Sequence, residues 1–237
     1  MNNFFNLFKK TPTKKKYKKI LSLDGGGVRA IAGIVFLKKL EAASGKKIFD
    51  SFDMFVGTSA GALNAACFAY KGMSAENLKR YWDKDYLDRI MKTSFFWDTA
   101  SLIQARPRYE TEGRVEVLNE IFSSDLLSDV QKPLVTLSYN IEKRTHVIHS
   151  NFDSPEISIV DAVCASSAAP MYFPTYQMQN GAWMIDGGVV TNNPSMIGLA
   201  QAKEYFQTDN IKILSIGAGL NKKKIDGETS SLWGGVG

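Results

Sequence analysis

Twice before residue 71 the chain passes from a short apolar, β-rich run through a glycine-punctuated turn into a helical pattern. The first passage is "KILSL" (19–23), Asp24, the triplet Gly25-Gly26-Gly27, and then residues 28–43, with Val28, Ile31, Ile34, Val35 and Leu40 at helical spacing. The second is "FDMFV" (52–56), "GTSAG" (57–61) and a helix from about Ser59 to Tyr70 that is apolar nearly all round, so it is expected at the centre of the molecule. Downstream, the patterning predicts amphipathic helices at 74–90 and 112–122 and strands at 133–140 and 145–150. A helix near 158–168, a strand from Trp183 to Ile185, a helix at 195–206 and a strand at 211–217 follow. Such alternation predicts an α/β fold with a largely parallel sheet and helices on both faces. With no internal repeat or low-complexity linker, one domain accounts for the 237 residues.

A glycine triplet is costly to order, because glycine loses more backbone freedom on folding than any other residue. It is retained where something approaches the backbone closely, and here it sets a row of N–H groups beside a helix N-terminus, which is an anion site. Gly25-x-Gly27-x-x-Ala30 after a strand also satisfies the dinucleotide-binding fingerprint, with Asp50 or Asp53 about 20 residues on as the ribose partner. The second turn favours a different chemistry. Gly57-Thr58-Ser59-Ala60-Gly61 fits G-x-S-x-G, in which a serine sits on a strand-to-helix turn too tight for side chains two residues before and after it. A serine there faces the carboxyl end of the sheet, where α/β proteins bind ligands, and the glycine triplet of the neighbouring strand can donate N–H groups to an oxyanion. A dinucleotide site has no use for this serine.

A serine nucleophile needs a base. The two histidines, His146 and His149, lie three apart on a strand-like segment and so point to opposite faces, as packing or surface residues do. Asp186 in "WMIDGGVVTNNP", followed by Gly187 and Gly188, is the better candidate. Asp-Gly-Gly is also a turn, and the residues alone leave base and turn both open.

Charge locates a further feature. The formal net charge is +5, and seven lysines lie before residue 20 (Lys9, Lys10, Lys14, Lys15, Lys16, Lys18 and Lys19) with no acidic residue among them. Subtracting those seven leaves −2 on the remainder, so no folded basic face is expected and nucleic acid is not an expected partner. Residues 1–19 read as a disordered basic leader, and Phe4, Phe5, Leu7 and Phe8 beside its lysines suit peripheral contact with an anionic membrane. No stretch reaches the ~18 apolar residues of a membrane span, and the N-terminus lacks a signal peptide's apolar core and cleavage site. The expected location is cytoplasmic, or peripheral at membranes. Cys67 and Cys164 sit in apolar, Ala-rich segments where a free thiol packs as a small hydrophobe.

"DGGGVRA", "GTSAG" and "DGG", in this order, with "ASSAAPMYFP" (165–174) before the last, resemble the patatin-like phospholipase family over about Ile20 to Gly219. The resemblance implies a three-layer α/β/α fold with a mostly parallel central sheet and a Ser-Asp dyad. It makes Ser59 the nucleophile and Asp186 the base, with Gly57, Gly61, Gly187 and Gly188 supporting the motifs. Gly25, Gly26 and Gly27 would form the oxyanion hole, with Arg29 supporting that loop. It implies no cofactor and no metal. Members continue well beyond the "SIGAG" strand, so residues 20–237 read as a patatin-like domain truncated at its C-terminus.

The function expected from these readings is a serine lipid acyl hydrolase acting on phospholipids or lysophospholipids. Residues 93–110, "TSFFWDTASLIQARPRYE", are expected to contact substrate, with Phe95, Phe96 and Trp97 for acyl chains and Arg106 and Arg108 for a phosphate. A catalytically idle lipid-binding module and a nucleotide-binding Rossmann-type protein are the alternatives.

Overall fold

A computed structural model describes residues 16–93 and 107–219. Strands β1 (Lys18–Leu23) and β2 (Met54–Thr58) pair in parallel, Ile20 opposite Met54 through Leu23 opposite Gly57. β7 (Ile211–Ile216) runs parallel along the other edge of β1, and β3 (Leu134–Asn140) parallel along the other edge of β2. β2 is buried along its whole length, as expected of a strand covered on both faces. β4 (Thr145–Ser150) returns antiparallel to β3 through a turn in which Asn140 Oδ1 accepts from the N–H groups of Glu142 and Lys143. β6 (Trp183–Asp186) is antiparallel to β3, and the two-residue β5 (Tyr176–Gln177) is antiparallel to β6. The strand order is β5-β6-β3-β2-β1-β7, with β4 also on β3.

This arrangement divides one edge of β3. β4 follows β3 from Val135 to Asn140, so the opposite edge is shared: β2 pairs with Leu134–Leu137, and β6 takes over at Ser138–Asn140. β2 and β6 therefore run toward each other along one edge, and their C-terminal ends meet.

Alternate residues of the strands feed opposite layers. Leu21, Leu23, Phe55 and Leu134 pack into a core with α1 (Ile31–Ser44), α2 (Ile48–Ser51), α3 (Ala60–Lys71), α4 (Ala75–Arg80), α6 (Glu112–Phe122) and α7 (Ile159–Ser166). Ile20, Met54, Val56, Val135 and Leu137 face α9 (Ser195–Phe206) through Ile197, Ala202 and Phe206. The result is a three-layer α/β/α sandwich. α3 is its central helix, with Ala60 through Tyr70 all buried and Phe68 stacked on Phe55 of β2 at 6.1 Å between centroids. Each such fully buried large side chain stabilises the fold by about 1.5–3 kcal/mol.

Two expectations change. The single helix predicted over 74–90 is two, α4 and α5 (Lys84–Ile90), because Trp82 turns inward at the break and donates from Nε1 to buried Asn64 Oδ1 at 2.9 Å. The lysine-rich stretch is not all leader: Lys18 and Lys19 belong to β1, where the Lys19 N–H donates to Asp53 Oδ2 at 2.8 Å. Residues 1–15, and with them most of the expected leader, lie outside the described residues, as do residues 220–237.

Candidate active site

β2 ends at Thr58 and α3 begins at Ala60, leaving Ser59 alone to turn the chain, with φ 57° and ψ −127°. A residue bearing a Cβ is strained there by about 1–3 kcal/mol. The surrounding packing enforces it. A Cβ at Gly57 would lie 2.2 Å from Gly61 O, and one at Gly61 would lie 2.1 Å from Leu23 O, so both flanking glycines are required by backbone on backbone. Ser59 is half-buried, and its N–H donates to Ser166 Oγ at 2.9 Å.

The Ser59 hydroxyl donates to Asp186 Oδ2 at 2.6 Å. The shared edge of β3 creates this contact: Thr58 opposes Leu137 and Asp186 opposes Ser138, so serine and carboxylate arrive from opposite directions at neighbouring positions. Asp186 is 5% exposed, and its Oδ1 accepts the Gly188 N–H at 2.6 Å as α8 (Gly188–Thr191) begins. Burial pushes its carboxyl above the ordinary range, against the opposing pull of the Ser59 and Gly188 hydrogen bonds and the Arg114 charge. Gly187 cannot carry a side chain, since its Cβ would lie 2.3 Å from Leu137 O.

The glycine loop reaches the same place. Gly25 N–H donates to Asn192 O at 3.0 Å, and Asn192 Nδ2 donates back to Gly25 O at 3.2 Å, strapping the loop to the segment after Asp186. A Cβ at Gly25 would lie 3.1 Å from Ser59 Cβ, and one at Gly26 would lie 2.2 Å from Ala218 Cβ. With the Gly25 N–H engaged, the Gly26 and Gly27 N–H groups are the ones that meet no protein acceptor among the described residues. The Arg29 side chain is exposed and makes no hydrogen bond or ion pair among the described residues. Only its N–H supports the loop, closing on Gly26 O at 3.2 Å.

Other candidates lie elsewhere. His146 is exposed, while His149 is 2% exposed and pairs through Nε2 with Ser138 Oγ at 2.8 Å, its pKa lowered by burial to about 4. Neither histidine bonds to Ser59 or Asp186. Asp53 immediately precedes β2 and accepts from Lys19 at the start of β1, at the opposite end of the sheet from the glycine loop, which removes it as a ribose partner. Phe95, Phe96, Trp97 and Arg106 lie outside the described residues. Arg108 is exposed, and its N–H and that of Tyr109 donate to Met171 O at 3.1 Å and Tyr172 O at 2.7 Å, which places 107–110 against the "ASSAAPMYFP" segment. Among the described residues no three His, Cys, Asp or Glu side chains gather as metal ligands would. Ser166, Asn192 and Arg114 also take part, though local sequence does not mark them: Ser166 lies in "ASSAAPMYFP" and Asn192 in "WMIDGGVVTNNP", but their partners are more than 100 residues away.

The sequence profile of the patatin-like phospholipases matches residues 21–198. The chain belongs to this family. It is similar to a cGAMP-activated phospholipase of Vibrio cholerae, 32% identical over 93% of this chain and 71% of the relative. It also resembles patatin-like protein 4 of Arabidopsis thaliana, at 31% over 86% and 60%, and a cGAMP-activated phospholipase of Escherichia coli, at 33% over 84% and 61%. The chain thus spans between 60 and 71% of the length of these relatives. Among solved structures, VipD of Legionella pneumophila shares the patatin-like fold over 92% of this chain and 52% of its own, with a TM-score of 0.53 at 16% identity.

Proposed function

We propose that this patatin-like domain is a serine lipid acyl hydrolase working through a Ser59–Asp186 dyad. The observation that carries the reading is the 2.6 Å hydrogen bond from a serine at a strained elbow to a buried carboxylate, with the glycine loop alongside. Asp186 takes the Ser59 proton as Oγ attacks the ester carbonyl, and the Gly26 and Gly27 N–H groups stabilise the oxyanion. Collapse expels the alcohol, which takes the proton back from Asp186 and leaves an acyl-enzyme. Water, deprotonated by Asp186, then attacks the acyl carbonyl, and collapse breaks the bond to Ser59 Oγ, which takes the proton back from Asp186 as the fatty acid leaves. A carboxylate is a weaker base than imidazole, and its raised pKa brings it closer to the task. The elements around the site expose apolar side chains (Val28, Met171, Tyr172, Val189 and Val190), which suits an acyl lipid such as a phospholipid or lysophospholipid.

Ser59→Ala and Asp186→Asn should each lower turnover of phospholipid vesicles by about a thousandfold or more, and the double variant little further, because the two act as one unit. His146→Ala should stay within a few-fold of the parent. A fluorophosphonate probe should label the parent and not Ser59→Ala. Unlabelled Ser59 in folded protein would favour an idle lipid-binding module, and turnover by folded Asp186→Asn would refute the dyad. Because relatives are named for activation by cGAMP, the vesicle assay is run with and without that nucleotide.

A further inference from the structure

Arg114 of α6 is the one guanidinium or ammonium buried among the described residues, at 3% exposed. It lies over the Phe173 ring, 4.4 Å from the centroid, and Nη1 donates to Ser167 O at 2.6 Å and to Ser167 Oγ at 3.2 Å. Its Nε and Nη2 have no hydrogen-bond partner, and it forms no ion pair, among the described residues. Burying a cation without a paired carboxylate is unfavourable, so packing alone is a poor reason for its presence.

Its position supplies a better one. Ser167 is the middle residue of a three-residue segment that holds both members of the dyad. Ser166 Oγ accepts the Ser59 N–H at 2.9 Å, Ser166 O accepts the Gly187 N–H at 3.2 Å, and Ala168 O accepts the Asp186 N–H at 2.9 Å. Arg114 grips this segment at its centre. Among the described residues its positive charge is also the one side-chain charge that favours ionised Asp186. Arg114 itself is faced by Cys164 of α7 and by Tyr176 of β5, whose hydroxyl donates to Asp161 of α7 at 2.6 Å, so that second buried carboxylate already has a partner.

We infer that Arg114 is a positioning residue for the dyad: its guanidinium fixes Ser166–Ala168 so that Ser59 and Asp186 meet, and its charge favours the proton-accepting form of the Asp186 carboxylate. The inference rests on the proposed role of Asp186 as base. The two functions separate by substitution. Arg114→Met keeps length and loses both the fork and the charge, while Arg114→Lys keeps the charge and loses the fork.

The test is the pH dependence of p-nitrophenyl butyrate hydrolysis by the whole chain, with folding followed by circular dichroism. Removing an attraction that favours ionised Asp186 raises its pKa, so the acid limb of kcat/KM should move to higher pH by about one unit in Arg114→Met. Its kcat should fall about a hundredfold with KM within about threefold, as for loss of an interaction made in the transition state. Arg114→Lys should keep the parental acid limb with kcat lowered about tenfold. A folded Arg114→Met with the parental acid limb overturns the inference. So does parental kcat in Arg114→Lys, which decides the matter should the Met variant fail to fold. Turnover by Asp186→Asn in the same assay is a failure of the dyad reading itself. A dead Asp186→Asn beside unaffected Arg114 variants is a failure of this inference alone.

Discussion

His149 and Asp186 are buried ionisable residues on β4 and β6, the two strands that pair antiparallel with β3, and their shifts run in opposite directions in pKa but share one cause, since each is pushed toward its neutral form by loss of water. For His149 the folded pKa of about 4 lies below the unfolded value of 6.5. The unfolded chain therefore binds the proton first. Stability from neutral His149 is fully present above about pH 6.5 and is lost as pH falls toward 4, by up to about 3 kcal/mol at 1.36 kcal/mol per pK unit. Urea unfolding at pH 7 and pH 4.5 should show this loss, and His149→Gln, which can still bond Ser138, should show a smaller one. Ester hydrolysis at pH 7 by that variant should be within a few-fold of the parent, because His149 contacts Ser138 rather than the dyad.

Between residues and fold stands the elbow, and its glycines carry the sharpest requirement at this scale. Gly61 occupies the first turn of α3 beneath the end of β1, where an added methyl would meet Leu23 O at 2.1 Å. Neither partner is a flexible side chain, so the helix must retreat from the strand. Gly61→Ala should cost about 1–3 kcal/mol, the range for overpacking a well-filled core. It should also lower kcat, because displacing α3 moves Ser59 from Asp186. Thermal unfolding and fluorophosphonate labelling of the same sample separate the two effects. An unchanged midpoint and labelling rate would mean that the elbow is looser than its packing implies. Gly27 behaves differently, since among the described residues a Cβ there meets nothing within 4 Å, and its φ of 54° is what restrains substitution.

For the molecule as a whole, the proposed lipid hydrolysis requires the site to meet a lipid surface. Among the described residues no helix is long and apolar enough to cross a membrane. The apolar rim consists of Val28 and of Val189 and Val190, on the helical turns that follow the glycine loop and Asp186, with Met171 and Tyr172 on the turn after Ser166–Ala168. Residues 1–15 add Lys9, Lys10, Lys14 and Lys15, each of which would contribute about 1 kcal/mol at an anionic surface. Deleting residues 1–15 should therefore weaken sedimentation with anionic vesicles at least about tenfold at low salt, with the difference shrinking at 0.5 M salt through charge screening. Hydrolysis of a soluble short-chain ester should not change. Vesicle binding indifferent to both the deletion and the salt would leave the rim as the sole contact.

The elbow was legible in five residues, because Gly-x-Ser-x-Gly records a backbone constraint that acts within the turn itself. The buried character of α3 was legible too, since an apolar surface all round a helix leaves it one place to go. Asp186 was a candidate by type and motif, but its contact with Ser59 spans 127 residues and exists because β2 and β6 share one edge of β3. Strand register of that kind leaves no local mark. The break between α4 and α5 was likewise decided by the distant partner of Trp82, and the exposure of the Arg29 side chain by a loop whose backbone is strapped to Asn192 instead. No local pattern distinguishes Arg114 from other helical arginines, and only tertiary packing turns it inward beneath Ser167. Local spacing reports what the backbone can tolerate, whereas which charges and hydroxyls meet depends on how strands and helices stack across the whole chain.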